Sequence, residues 1–266
     1  MNMIDPIGLQ LYTIRTEMER DFEGALERVA AIGYKEVEFA GYFKRTPKEI
    51  SSLLKRCELT APSAHIAYQS LESSWPEVLE VAQILGHNYL VVPMIDSDLA
   101  ETLDGWKRAA DLFNRAGEVS KRAGIQLVYH NHFFEFIPLE GELPYNILLE
   151  ACDPDLLKME MDFCWIAAVG HGPLPYFQRY PGRFPLVHLK QLKSLPTRRP
   201  DEGAHEFFEQ TIPEITEVDD GVIDWESTLS QSTQAGIEHY FVEQDAPDSP
   251  FDSIRKSCDY VYRLRF

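Results

Sequence analysis

Short runs of β-forming residues alternate with longer amphipathic patterns along the whole chain, and this alternation limits the fold more than any other feature. It predicts βα units around a parallel sheet, rather than a sandwich or a helical bundle. Eight candidate strands can be counted, the number that a closed (β/α)8 TIM barrel with an outer ring of helices requires. They are predicted at residues 7–12, 36–40, 61–65, 89–94, 126–132, 157–162, 186–190 and 240–243.

The segments between the strands carry helix signals. Phe22, Leu26, Val29 and Ala30 are spaced so that their side chains share one face of a helix, and Gly33 follows where that helix should end. The next predicted strand begins almost at once, as the short connections of a barrel require. Because a TIM barrel takes about 250 residues, we expect residues 1–266 to form a single domain.

One connection is much longer than the others. Residues 191–224 separate the seventh and eighth predicted strands and are rich in proline and glycine. Connections of this length are usually functional or mobile. Because the loops that follow barrel strands build the active site, we expect this segment to fold over the barrel mouth as a lid.

Charge and cysteine content restrict the partners and the compartment. The formal net charge of −18 opposes binding to nucleic acid phosphates or to anionic lipid. Four scattered cysteines form no disulfide framework, residues 1–6 show no basic region followed by an apolar run, and no stretch approaches 18 apolar residues. We therefore expect a cytoplasmic protein that binds neither nucleic acid nor a membrane.

Polar side chains stand at the carboxyl ends of the last four predicted strands. His130, Asp162, His188 and Glu243 occupy these places, and barrel geometry directs such side chains toward one cavity mouth. Burying them together would be unfavourable without a shared partner. Carboxylates and imidazoles without thiolates predict a divalent metal, Mn²⁺ before Mg²⁺, Co²⁺ or Zn²⁺.

Further polar residues occupy comparable positions. Lys190 offers an ammonium for stabilising negative charge, although a salt bridge to Glu160 or Asp162 is an equally good interpretation. His132 is a candidate proton carrier. The predicted substrate-binding residues are Gln10, Glu38, His65, Glu160 and Trp165.

Six motifs in order resemble those of the xylose-isomerase-like group of sugar phosphate isomerases and epimerases, in the branch with a YHNH motif. The resemblance covers nearly the whole chain, and it depends on the order and spacing of the motifs rather than on one of them. The motifs are GLQLYTIR, GYKEVEFAGY, VYHNHFFEF, MEMDFCW, YPGRFPLVHLKQLK and HYFVEQD.

This resemblance implies a metal held by Glu, Asp, His and Glu at the ends of strands five to eight. Asp162, His188 and Glu243 match this pattern, but His130 stands where the ketose epimerases have a glutamate. Three residues remain open as its replacement in the metal site: His130 itself, Glu135 and Glu160. The resemblance also allows a homodimer.

The resemblance favours an isomerase or epimerase acting on a small carbohydrate. In this hypothesis Glu243 removes a proton next to a carbonyl, Lys190 stabilises the enediolate, and His132 or a second carboxylate returns the proton. The alternative is a lyase or dehydratase on a keto-inositol or 3-keto-glycoside. A noncatalytic ligand-binding barrel and a nuclease like endonuclease IV rank lower, the nuclease because of the acidic charge.

Overall fold

The computed structural model describes residues 3–266, and in it eight parallel strands close into one barrel surrounded by helices. This confirms the predicted fold class. Met1 and Asn2, which belong to the amino-terminal segment with no basic or apolar run, lie outside the described residues. The strands are β1 (Gly8–Gln10), β2 (Glu36–Ala40), β3 (Thr60–His65), β4 (Tyr89–Val92), β5 (Gln126–His130), β6 (Leu157–Asp162), β7 (Leu186–Leu189), the short pair β8 (Gln191–Leu192) and β9 (Ile215–Thr216), and β10 (His239–Val242).

The barrel strands follow each other around the sheet in chain order. Each of β1 to β7 pairs with its sequence neighbour, and β10 closes the ring between β7 and β1. The antiparallel pair β8 and β9 stands apart from the barrel. Because all barrel strands are parallel, their carboxyl ends meet at one rim.

Helices follow the strands and cover the barrel. Gly33, at a φ of 124°, ends α2 as the sequence predicts, because a residue without a Cβ adopts this conformation without strain. Within residues 3–266, no helix combines the length and the apolar character needed to cross a membrane. The α-helices are α1 (Arg15–Arg20), α2 (Phe22–Ile32), α3 (Pro47–Arg56), α4 (Ser70–Ser73), α5 (Trp75–Leu85), α6 (Ser97–Ala100), α7 (Leu103–Arg122), α8 (Pro144–Ala151), α9 (Phe163–Ala168), α10 (Leu174–Arg179), α11 (Ala204–Thr211), α12 (Trp225–Leu229), α13 (Ser232–Ala235) and α14 (Pro250–Arg263).

Five strands end one or two residues earlier than predicted, and in two of them, β1 and β5, a side-chain hydrogen bond is the local cause. β1 stops at Gln10 because its side-chain oxygen accepts a hydrogen bond from the backbone N–H of Tyr12, which starts a 3₁₀ helix. β5 stops at His130, because the backbone N–H of His132 donates to Glu135 instead of to a neighbouring strand. His132 therefore lies on the connection after β5, not in the strand.

A buried apolar cluster lies inside the barrel beneath the polar side chains of the carboxyl rim. Val128, Leu186 and Phe241 belong to one buried apolar cluster. Two residues further along each chain segment stand His130, His188 and Glu243. Because the side-chain period of a strand is two, the polar residues lie directly above the apolar layer, at the carboxyl rim.

A glycine makes room for this apolar layer. A Cβ at Gly8 on β1 would lie only 2.4 Å from a ring carbon of Phe241. Real Cβ atoms do not approach other atoms so closely, so a larger residue at this position would displace the ring. The glycine therefore allows Phe241 to fill the barrel interior.

Residues 191–224 are folded rather than structureless. They contain the β8 and β9 pair, two 3₁₀ turns and α11. Phe207 on α11 is completely buried and belongs to a hydrophobic cluster with Phe133 and Trp165, which follow β5 and β6. The segment is therefore anchored to the carboxyl rim of the barrel, and its role as a lid remains a proposal.

Candidate active site and metal centre

Four buried side chains converge at the carboxyl rim of the barrel. His130 ends β5, Asp162 ends β6, His188 lies on β7, and Glu243 follows β10. Each contributes one potential ligand atom, and these atoms all lie within 4.8 Å of one another. We call these four residues the first group; the structure brings together the same four that the sequence predicts.

The contacts within the first group are short. His188 Nδ1 lies 2.9 Å from Glu243 Oε2 and 3.0 Å from His130 Nε2. Asp162 Oδ2 lies 3.6 Å from His130 Nε2 and 3.8 Å from His188 Nδ1. Two carboxylates and two imidazoles therefore share a space closed to solvent.

The first group has the properties of a cation site. His130 Nδ1 is buried without a hydrogen-bond partner in the described chain, and such an atom is unfavourable unless something else satisfies it. The donor set of nitrogen and oxygen atoms suits divalent metals. The residues present thus fit a divalent metal ion.

The pKa values of the two imidazoles in the first group also indicate a cation site. The pKa of His130 lies well below its usual value because of burial and the neighbouring His188, so its nitrogen lone pair is free. The pKa of His188 is raised well above its usual value: burial opposes the charge, but Glu160 and Glu243 outweigh it. The surrounding carboxylates therefore attract positive charge to this place.

Lys190 places an ammonium beside the first group. Its Nζ lies 2.7 Å from Glu243 Oε2, 2.9 Å from Asp162 Oδ2 and 3.1 Å from Asp245 Oδ2. Burial lowers the pKa of Lys190, but Asp162 and Asp245 more than offset this and raise it well above its usual value. Of the two salt-bridge partners that the sequence suggests, the structure pairs Lys190 with Asp162.

Asp245 is absent from the set of site residues predicted from the sequence. It lies two residues after Glu243, and the same spacing rule that selected Glu243 would have found it. Burial raises the pKa of Asp245 to about 6, with Glu243 and Asp162 adding to the rise and Lys190 opposing it. It belongs to the same charged cluster.

His132 lies next to the first group without joining it. Its ring centroid is 4.7 Å from that of His130, and its ring stacks on Phe134. Burial and the neighbouring Lys190 lower the pKa of His132 to about 4, so the ring is neutral. Its Nδ1 is buried without a hydrogen-bond partner.

A second set of side chains lies on the opposite side of His188. Glu38, His65, Glu160 and His188 each offer a potential ligand atom, again within 4.8 Å of one another. We call these the second group; three of them were predicted to bind substrate. Glu38 Oε1 lies 2.8 Å from His188 Nε2 and accepts a 2.7 Å hydrogen bond from Gln10 Nε2.

The imidazole of His65 lies between the two carboxylates of the second group. Its Nε2 is 3.0 Å from Glu160 Oε2 and 3.2 Å from Glu38 Oε1. Burial opposes a charge on His65, but Glu38 and Glu160 raise its pKa to about 9. The two carboxylates of the second group therefore attract positive charge to this place, as those of the first group do.

The structure places the three candidates for the metal-ligand position of the fifth strand in three different surroundings. His130 lies in the first group and Glu160 in the second. Glu135 is in neither, because its oxygens accept hydrogen bonds from Tyr129 Oη at 2.6 Å and from the backbone N–H of His132 at 2.9 Å. Burial raises the pKa of Glu135 to about 8.

Trp165 lies close to the first group but beneath the long segment. It is buried on α9, and its backbone N–H donates to Asp162 Oδ1 at 2.9 Å. Phe208 stacks on its ring, and its Nε1 has no partner within the described chain. The Asp162 carboxylate thus caps α9 with Oδ1 while Oδ2 faces the first group.

Comparison with known proteins agrees with this architecture. A family model described as a xylose isomerase-like TIM barrel matches residues 26–264. The chain is 24% identical to inosose dehydratase from Lacticaseibacillus casei over 269 aligned positions, which cover 91% of this chain and 89% of the relative.

Solved structures share the fold. A sugar phosphate isomerase/epimerase from Parabacteroides distasonis superposes with a TM-score of 0.77 at 24% identity, covering 96% of this chain and 92% of that one. The IOLI protein with a binding zinc atom superposes with a TM-score of 0.73 at 13% identity, covering 97% of this chain and 98% of that one.

Proposed function

Since the chain belongs to the xylose isomerase-like TIM barrel family, we propose that it is a metal-dependent dehydratase acting on a small cyclic keto-polyol such as a keto-inositol. The observation that carries this proposal is that one carboxylate of the first group, Glu243, contacts both the imidazole of His188 and the ammonium of Lys190. Curated relatives named inosose dehydratase support the choice of reaction and substrate class.

The residues of the first group would hold the metal. Two imidazoles and two carboxylates, all buried, provide nitrogen and oxygen ligands. A divalent ion there would polarise the substrate carbonyl as a Lewis acid. We favour Mn²⁺, with Co²⁺, Zn²⁺ and Mg²⁺ as alternatives; the zinc atom of the IOLI protein supports a divalent ion in this fold.

Glu243 is the proposed base. Burial would raise the pKa of its carboxyl, but Lys190 and His188 hold that pKa well below its usual value, so Glu243 is ionised and able to accept a proton. Removal of a proton from the carbon next to the carbonyl leaves negative charge on the oxygen. Lys190 provides a fixed positive charge beside it, which needs no reorganisation during the reaction.

His132 is the proposed partner for the departing hydroxyl group. Its buried Nδ1 has no hydrogen-bond partner within the described chain, so it is free to contact a substrate oxygen. A hydrogen bond there would orient the β-hydroxyl, and the proton that Glu243 takes from carbon would leave with this hydroxyl as water. Gln10 and Trp165 complete the proposed substrate surroundings.

Isomerisation or epimerisation, which the sequence resemblance favours, is the second candidate. It shares the first proton abstraction but has a different second step, because the proton returns to carbon and no hydroxyl leaves. Glu243 suits this outcome too, since the carboxyl that holds the abstracted proton can return it to the other carbon or to the other face.

Proton NMR in deuterated water separates the two functions. The metal-loaded protein is incubated with a keto-inositol and, separately, with ketoses. Loss of one water and an unsaturated or deoxy product from the keto-inositol is expected. Deuterium exchange with an intact carbon skeleton and no elimination would favour the second candidate, and no exchange with any of these compounds would refute both.

A further inference from the structure

We propose that the second group binds a divalent cation of its own, so that the barrel holds two cations joined through His188. This inference goes beyond the proposed function and rests on it only because the two groups share that imidazole. The second group consists of Glu38, His65, Glu160 and His188, as defined above.

The ligand atoms of the second group are already arranged around one point. His188 Nε2 lies 2.8 Å from Glu38 Oε1 and 3.3 Å from Glu160 Oε1. All four ligand atoms lie within 4.8 Å of one another. Metal-ligand distances of about 2.0–2.2 Å place opposite ligands roughly 4 Å apart, so small side-chain rotations suffice.

An independent observation at Glu160 indicates a missing partner. Its side chain is fully buried and Oε2 contacts His65, but Oε1 accepts no hydrogen bond, because His188 Nε2, 3.3 Å away, is hydrogen-bonded to Glu38 Oε1 instead. A buried carboxylate oxygen that must share its donor with another carboxylate is under-satisfied, which is unfavourable. A cation between Glu160 and Glu38 would satisfy this oxygen directly.

The closed surroundings favour a cation over a substrate oxygen. The side chains of Glu38, Glu160 and His188 have no exposure, and that of His65 is only 14% exposed. A polyol hydroxyl would bring its carbon with it and needs more room than a bare ion. The predicted substrate-binding role of these residues is therefore replaced here by cation binding.

His188 can serve both groups because its two ring nitrogens face different carboxylates. Nδ1 points to Glu243 in the first group, and Nε2 points to Glu38 and Glu160 in the second. The second cation would take the place of the Nε2 protons of His188 and His65, which leave to solvent, and the His188 ring would then join the two ions. With only the first cation bound, the Nε2 proton stays and donates to Glu38, which fixes the ring orientation.

The test is metal stoichiometry, measured by elemental analysis after dialysis against Mn²⁺ and gel filtration. We expect two ions per chain in the natural protein and one in Glu160→Gln. Glu36→Gln is the matched control, because Glu36 lies on the same strand as Glu38 but contacts His239; it should keep two. Asp162→Asn, which disrupts the first group, should keep one ion per chain, bound at the second group.

The ion counts of the natural protein and of Glu160→Gln together decide whether the second site exists. One ion in both the natural protein and Glu160→Gln, or two in both, overturns the second site and leaves the proposed function intact. No ion in the natural protein refutes both proposals.

A second variant and a spectroscopic measurement cover the case in which Glu160→Gln does not fold. His65→Gln changes the partly exposed member of the group and should also reduce the count to one. Electron paramagnetic resonance of the Mn²⁺-loaded natural protein should show the exchange coupling of two adjacent ions. An uncoupled spectrum would overturn the shared bridge.

Discussion

Lys190 Nζ and Glu243 Oε2 lie 2.7 Å apart inside the barrel, and both side chains are almost completely removed from solvent. The pair brings together the proposed base and the positive charge that would stabilise the product of its action. Removing either member therefore tests a different part of the mechanism.

Glu243→Gln should reduce turnover by about 10²–10⁴-fold while leaving the fold intact, because glutamine preserves the shape of the side chain but cannot accept the proton. Steady-state kinetics together with thermal unfolding measure both effects. Glu238→Gln is the matched control: Glu238 lies just before β10 and contacts Tyr89 Oη. Near-normal turnover in Glu243→Gln would identify another residue as the base.

Lys190→Met should destabilise the metal-free protein by about 3–5 kcal/mol, since buried carboxylates lose their counter-charge. Asp162, Glu243 and Asp245 are the groups left behind. Adding Asp245→Asn to this variant should recover part of the stability in denaturant unfolding, because one of the repelling charges disappears. An equally unstable double variant would show that Asp245 does not belong to the charged cluster.

Removal of the metal should lower the unfolding temperature. An ion present at about 100 times its dissociation constant stabilises the folded state by about 2.7 kcal/mol. For a protein of this size, this corresponds to roughly 5–10 °C. Calorimetry with and without a chelator measures the shift, which Mn²⁺ should reverse; an unchanged unfolding temperature in both steps would argue against any resident cation.

Phe207→Ala should loosen the segment formed by residues 191–224, because this buried ring packs 5.1 Å from the ring of Phe133. We expect faster hydrogen exchange in that segment and a higher KM, with a loss of about 3–5 kcal/mol if the segment unfolds together with the barrel. Phe208→Ala, at the exposed neighbouring position, is the control and should have a smaller effect on exchange. Equal protection in both variants would contradict the proposed anchoring.

His87 should make stability depend on pH. Its Nδ1–H donates to Ala61 O at 2.6 Å, and burial lowers its pKa below the ordinary value. The imidazole of His87 therefore binds more protons in the unfolded chain, so its contribution to stability is complete above about pH 6.5 and is lost as the pH drops below it. His87→Gln should make this fall shallower in urea titrations, whereas the control His205→Gln, at an exposed position, should not. The same slope in His87→Gln and the natural protein would refute the assignment.

Much of the site was predictable because strand periodicity is a local property. The spacing of His130, Asp162, His188 and Glu243 relative to their strands places all four at one rim once the strands are parallel. The structure confirms the barrel and brings these four side chains together. Their role as metal ligands stays a proposal that the experiments above test.

Other features depend on contacts between distant segments. The sequence left His130, Glu135 and Glu160 as equal alternatives, and they separate only because Tyr129 engages Glu135 while His65 engages Glu160. Both choices are made by side-chain hydrogen bonds, and strand spacing carries no information about them.

Local patterns in the chain were enough to predict the number of barrel strands, their order and the polar character of the carboxyl rim, because periodicity and helix ends act over a few residues. No local pattern indicates that His188 stands between two groups of carboxylates or that Lys190 contacts Asp245. These relationships join strands that are far apart in the chain. Closure of the barrel creates them, since it sets which inward-facing side chains meet and excludes the water that would otherwise separate their charges.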